Sequence, residues 1–167
     1  SRGLGDVYKR QEQTPSDIPA FLSVAAGYEI LPTLRASVEY HFFDDKKAGM
    51  LNDRQKTLSH GTHEYLAGIE WDVIDLLTIS GGFQKTNYGL SDSFQTDTSF
   101  YCSSYSLGFG ARIHFSEALN MDIAYFWTNY DDYTKNEDAY YSLPNIKGSN
   151  VYSRTNKVFG VSLNYNF

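Results

Sequence analysis

Leu34-Arg35-Ala36-Ser37-Val38-Glu39-Tyr40-His41-Phe42 decides the fold class. Leu34, Ala36, Val38, Tyr40 and Phe42 are apolar, and the residues between them are polar or charged. A period of two places one set on each face of an extended strand, whereas a helix would need apolar residues three and four apart. The same alternation recurs from Ala20 onward. It predicts seven strands, at about 20–30, 34–43, 63–71, 76–86, 101–115, 119–130 and 157–167. Most are near the ~9–11 residues that a tilted strand needs to cross a bilayer. Strands of soluble sheets are typically only ~5–6 residues long.

The apolar sets of the other strands are equally uniform. They run Leu22, Val24, Ala26, Tyr28; Tyr65, Ala67, Ile69, Trp71; Leu77, Ile79, Gly81, Phe83; Tyr105, Leu107, Phe109, Ala111, Ile113; Met121, Ile123, Tyr125, Trp127; and Phe159, Val161, Leu163, Tyr165, Phe167. None contains a charge, as expected where Lys or Arg at mid-membrane costs roughly 2–4 kcal/mol. The opposite sets are small or polar, among them Glu64 and Glu70, Thr78, Ser80, Gly82 and Gln84, Ser104 through His114 in steps of two, and Gly160, Ser162, Asn164 and Asn166. Soluble sandwiches also alternate, so three further features carry the distinction.

Aromatic rings gather at strand ends and aliphatic residues at strand middles. Tyr28, Tyr40, Tyr65, Trp71, Phe83, Trp127 and Tyr165 would form girdles at the two membrane interfaces, with Phe109 departing from the trend. Connections alternate strictly between tight turns at 31–33, 72–75 and 116–118 and long polar loops at 44–62, 87–100 and 131–156. Short periplasmic turns and long external loops are the pattern of outer-membrane barrels. Finally, Leu163, Tyr165 and Phe167 alternate up to an aromatic end, resembling the strand signal that bacterial barrel-assembly machinery recognises. The expected fold is therefore all-β: a transmembrane antiparallel up-and-down barrel in the bacterial outer membrane, surrounded by lipid and lipopolysaccharide.

Composition removes other classes. A net charge of −6 argues against a nucleic-acid binder. No apolar run approaches the ~20 residues of a membrane helix, which leaves barrel strands untouched. Cys102 is the sole cysteine, so no disulfide forms within the chain. Asp6-Val7-Tyr8-Lys9-Arg10-Gln11 back-translates to GATGTGTATAAGAGACAG, which resembles a transposon end used in preparing sequencing libraries. Residues 1–11 are thus expected to be adapter-derived and 12–167 to belong to the barrel. Seven strands in a class that uses even numbers are expected to be part of a longer wall.

Thr86-Asn87-Tyr88-Gly89-Leu90-Ser91-Asp92, Ser104 through Gly110, Ala124 through Tyr130, Asp17-Ile18-Pro19-Ala20 and Gly27-Tyr28 together resemble the C-terminal half of FadL/TodX-type outer-membrane transport proteins, of a Bacteroidetes kind. The resemblance covers roughly 16–167. It implies a fourteen-stranded barrel, seven strands of which are here, and passive uptake of hydrophobic molecules such as long-chain fatty acids or aromatic hydrocarbons. The family's hatch and lateral exit lie in its N-terminal half, so no residue of theirs transfers to this chain.

Candidate site residues follow from placement. Arg35, Glu39, His41, Gln84 and Arg112 face a lumen where substrate would pass, although arginines there commonly pair with neighbouring carboxylates such as Glu39, Glu64 or Glu70. Tyr88, Phe94, Tyr133, Tyr140 and Tyr141 stand in the long loops as a hydrophobic landing surface, or alternatively as loop packing. His60 and His63 lack a third ligand for zinc, and Ser37 and His41 share a face without a nucleophile motif. No enzyme, metal or cofactor is expected. The competing reading is a non-transporting barrel that serves as adhesin, receptor or structural protein.

Overall fold

A computed structural model describes residues 17–49, 51–138 and 146–167. The strands are β1 (Phe21–Leu31), β2 (Leu34–Phe43), β3 (Thr62–Ile74), β4 (Leu77–Asn87), β5 (Ser104–His114), β6 (Leu119–Tyr130), β7 (Tyr133–Glu137), β8 (Gly148–Tyr152) and β9 (Thr155–Tyr165). Seven of them form one antiparallel sheet in the order β1-β2-β3-β4-β5-β6-β9, with β1 and β9 at its edges. The chain is all-β, with no α-helix among the described residues.

Every pairing keeps the two sets of residues apart. Val38 pairs with Ala67, Ala67 with Phe83, Phe83 with Leu107, and Leu107 with Trp127. One step along, Arg35 pairs with Glu70, Glu70 with Ser80, and Ser80 with Gly110. The sheet thus has one largely apolar face, carrying Lys85 and Lys157 near the loop end, and one largely polar face, interrupted by Leu66, Phe126 and Val158. Irregularities at Glu29/Leu31 and Asp72/Ile74 both lie beside tight turns, where a bulge adds twist. Eleven residues at ~3.3 Å each, tilted by ~45°, rise about 25 Å, the height of the apolar band on an outer-membrane barrel.

Several boundaries differ from the sequence expectation, among them the end of β3, which runs on to Ile74 and not 71. β5 begins at Ser104 and not at residue 101, because Tyr101 to Ser103 pack into the loops. β9 starts at Thr155 and ends at Tyr165, although Asn166 N–H still donates to Ala118 O at 2.8 Å. The stretch expected as loop between β6 and β9 holds a two-stranded ribbon, in which Tyr133 pairs with Tyr152 and Glu137 with Gly148. Both its strands are five residues long and largely polar, so alternation gave no sign of them.

Burial separates sheet from loops. The fully buried apolar side chains among the described residues are Ala48, Leu58, Phe94, Cys102 and Tyr152, all of them outside the seven-stranded sheet. Side chains buried within the sheet are hydroxyls on its polar face: Thr62, Thr78, Thr86, Ser104, Ser106 and Thr128. The apolar face is bare, with Val38 59%, Phe109 60% and Leu163 68% exposed.

Candidate functional site

The long connections gather at one end of the sheet and fold over its polar face as a cap. Two short 3-10 turns, Asp45–Lys47 and Leu51–Thr57, lie in the β2–β3 connection. Ser59 N–H donates to Gly89 O at 2.9 Å, and Ser91 Oγ donates to Thr57 Oγ1 at 3.1 Å, stitching this connection to the next. The crossing is close: a Cβ on Gly89 would stand 2.2 Å from His60 O, so only glycine fits there. Gln95 clasps its own loop, with Nε2 donating to Tyr101 O and Oε1 accepting from Tyr101 N–H. The β7–β8 ribbon closes the third side. Tyr133 and Tyr152 donate to Asp92 and Asp97 at 2.7 and 2.9 Å, and Tyr152 stacks against Phe100. The Arg54 guanidinium lies 5.2 Å above the Phe94 ring.

Between cap and sheet is a pocket of about 250 Å³. Its greasy wall is Phe43, Leu58, Tyr88, Leu90, Phe94 and Tyr101, and its polar wall is Asp45, Gln55, Thr62 and Glu64. Gln55 is 1% exposed. Its Nε2 donates to Ala48 O, while Oε1 is buried without a partner. Thr62 donates to Asp45, and Glu64 accepts from Gln84 and Thr86 at 3.1 and 3.0 Å. Burial first, and then the charge of Glu64, pushes the Tyr88 phenol up to about 12.

Two expected residues line this pocket, Tyr88 and Phe94. Tyr133 is instead spent on the ribbon and on Asp92. Tyr140 and Tyr141 lie outside the described residues. Sequence reading passed over Phe43, Leu58, Leu90 and Gln55, whose convergence depends on loop folding that no period reveals.

The five expected polar-face residues fall into two groups. Glu39, His41 and Gln84 lie toward the capped end. There His41 engages Glu39 at 2.6 Å and Glu64 at 3.2 Å, so its ring nitrogens meet carboxylates and not Ser37. Arg35 and Arg112 lie toward the tight turns and line one cavity of about 310 Å³. Each is paired: Arg35 with Glu70 and Asp72 at 2.8 and 2.9 Å, Arg112 with Asp122 at 2.6 Å. Between the groups is a cavity of about 320 Å³ floored by Gly68, Gly82 and Gly108. Leu66 and Phe126 border it on the polar face, which makes mid-height greasier than the sequence reading held. Counting parity along β3 from Glu64, and along β6 against the apolar set Met121, Ile123, Tyr125 and Trp127, would have found both.

On the apolar face, Tyr40 and Tyr65 stack at 5.3 Å near the capped end, and Tyr105 meets Trp127 edge-on at 6.2 Å. Tyr28, Trp71, Phe83 and Tyr165 are exposed on the same face. His63 is held by the Tyr40 hydroxyl at 2.8 Å and His60 by Gly61 O at 2.6 Å. Among the described residues no three His, Cys, Asp or Glu converge as a metal-ligand set. Comparison of the chain with protein-family models and with curated proteins found no match in either.

Proposed function

We propose that the chain forms part of the wall of an outer-membrane barrel that passes small hydrophobic molecules from the external loops into the membrane. One observation carries this reading: the seven-stranded sheet buries no apolar side chain, while its outward face is apolar over most of its height, with Lys85 and Lys157 near the loop end. A soluble protein rarely exposes a contiguous apolar patch beyond a few hundred Å², whereas lipid is the natural cover for such a face. Backbone groups on the edges of β1 and β9 would be prohibitively costly in hydrocarbon, so further strands close the wall. Leu163, Tyr165 and Phe167 would serve recognition by the assembly machinery.

The route begins under the cap. Tyr88, Leu58 and Phe94 offer an apolar stop on an otherwise polar surface, and Leu66 and Phe126 offer the next one down. Transport on this scheme is passive, needing no cofactor and no catalytic group. Vesicles carrying the full-length protein should take up naphthalene faster than empty vesicles. Uptake no faster than in empty vesicles would leave the adhesin or structural reading in its place.

A further inference from the structure

The polar wall of the capped pocket has a definite chemical bias. Asp45 and Glu64 are carboxylates, and no Lys, Arg or His lines the pocket. The nearby cations stand behind the wall: Lys47 pairs with Asp44, His41 lies between Glu39 and Glu64, and Arg54 meets Ser99 and the outer side of the Phe94 ring, with its Nε buried and unpartnered among the described residues. Arg35 and Arg112, the cations that might have met an acid further down, are held by Glu70, Asp72 and Asp122. A carboxylate entering this pocket would lose hydration and meet the like charge of Asp45 and Glu64 in its lining.

The unmet capacity is for a donor. Gln55, buried and lining the pocket, has a side-chain carbonyl without a partner among the described residues. A buried acceptor left unpaired is costly, and a ligand hydroxyl would relieve it. Size points the same way. An engineered apolar cavity of ~150 Å³ holds benzene, so about 250 Å³ suits one or two fused rings and not an extended acyl chain.

We propose that the capped pocket binds uncharged ring compounds bearing a hydroxyl group, of the phenol or cyclic-alcohol class, and discriminates against carboxylates. The ring lies between Tyr88, Phe94 and Leu58, and the hydroxyl donates to Gln55 Oε1 or to the carboxylate wall. This inference rests on the transport reading and narrows its substrate.

The test is equilibrium dialysis of naphthol, methoxynaphthalene and naphthoate, near neutral pH, against the full-length protein in lipid nanodiscs. Naphthol should bind about tenfold more tightly than methoxynaphthalene, the fold-change for one hydrogen bond to an otherwise unpaired buried acceptor. Naphthoate should bind weakest. Gln55→Leu should shrink the naphthol advantage. Glu64→Gln, which does not depend on the Gln55 turn, should raise naphthoate binding relative to naphthol. Equal binding of naphthol and methoxynaphthalene, or naphthoate binding best, would overturn the inference while leaving hydrocarbon uptake intact. Binding of none of the three would also overturn it, and naphthalene uptake by vesicles then decides separately whether transport stands.

Discussion

The seven-stranded sheet and the cap above it follow opposite rules of burial. In the cap, Phe94, Leu58, Cys102 and Tyr152 are hidden, as apolar side chains are in any small water-soluble fold. In the sheet, Val38, Phe109 and Val161 are bare and the hidden side chains are hydroxyls. One chain therefore hides opposite kinds of side chain in its two parts. Apolar burial stabilises the cap from within. On the proposed reading the sheet gains that contribution from lipid outside it, and its polar face depends on hydrogen bonds such as Ser106 to Thr128 at 2.9 Å.

The contrast can be broken at the apolar face. Val38→Arg should destabilise the sheet by roughly 2–4 kcal/mol if lipid covers that position. Ser37→Arg, one residue away, should cost far less. Heat-modified electrophoretic mobility in detergent and bilayer would read both, and equal costs would erase the distinction between the faces. Phe94→Ala tests the cap core. A close-packed Phe costs about 3–5 kcal/mol when truncated, and Phe94 should cost about 2–3, because one side already borders the pocket. Limited proteolysis should then cut the loops while the sheet stays protected.

Thr128→Val sharpens the account of the polar face. It leaves the buried Ser106 hydroxyl unpaired and should cost about 1–2 kcal/mol, measured as a shift in the denaturation midpoint. The smallest effect is one of pH. Burial, followed by the bond to Asp97, pushes Tyr152 up to about 12, and burial with the bond to Asp92 does the same for Tyr133. An unfolded phenol titrates near 10. The native state therefore holds its protons more tightly, and this part of the cap's stability is full below about pH 10 and lost as pH rises toward about 12. Tyrosinate absorbance should appear late, and Cys102, buried with its thiol pushed up by that burial, should stay unreactive toward maleimide near neutral pH while the cap is folded.

How much of this was legible follows the same division. Strands such as Leu34–Phe43 could be read to the residue, because one face must be apolar and the other must not. Arg35 and Arg112 were readable as polar-face residues, and pairing with neighbours was weighed, yet Asp72 and Asp122 were not foreseen as their partners. Cap residues have no period to betray them. Gln55, Leu58 and Phe94 meet through the fit of two loops around Gly89, and only the folded chain displays that fit.

The register of the sheet has a consequence for how such a chain can change over time. Each pairing works like a reading frame of two. Deleting one residue from the middle of β5 would be a frameshift: beyond it Leu107 or Phe109 would trade places with Ser106 or Gly110, turning apolar groups to the polar face and polar groups to the apolar one. Two-residue changes would preserve the frame. The loops beyond the strands have no frame to keep. Lineages of this protein should therefore differ in length at the capped end and hold their strands to an unchanged count, so that the pocket is free to diversify while the wall is not.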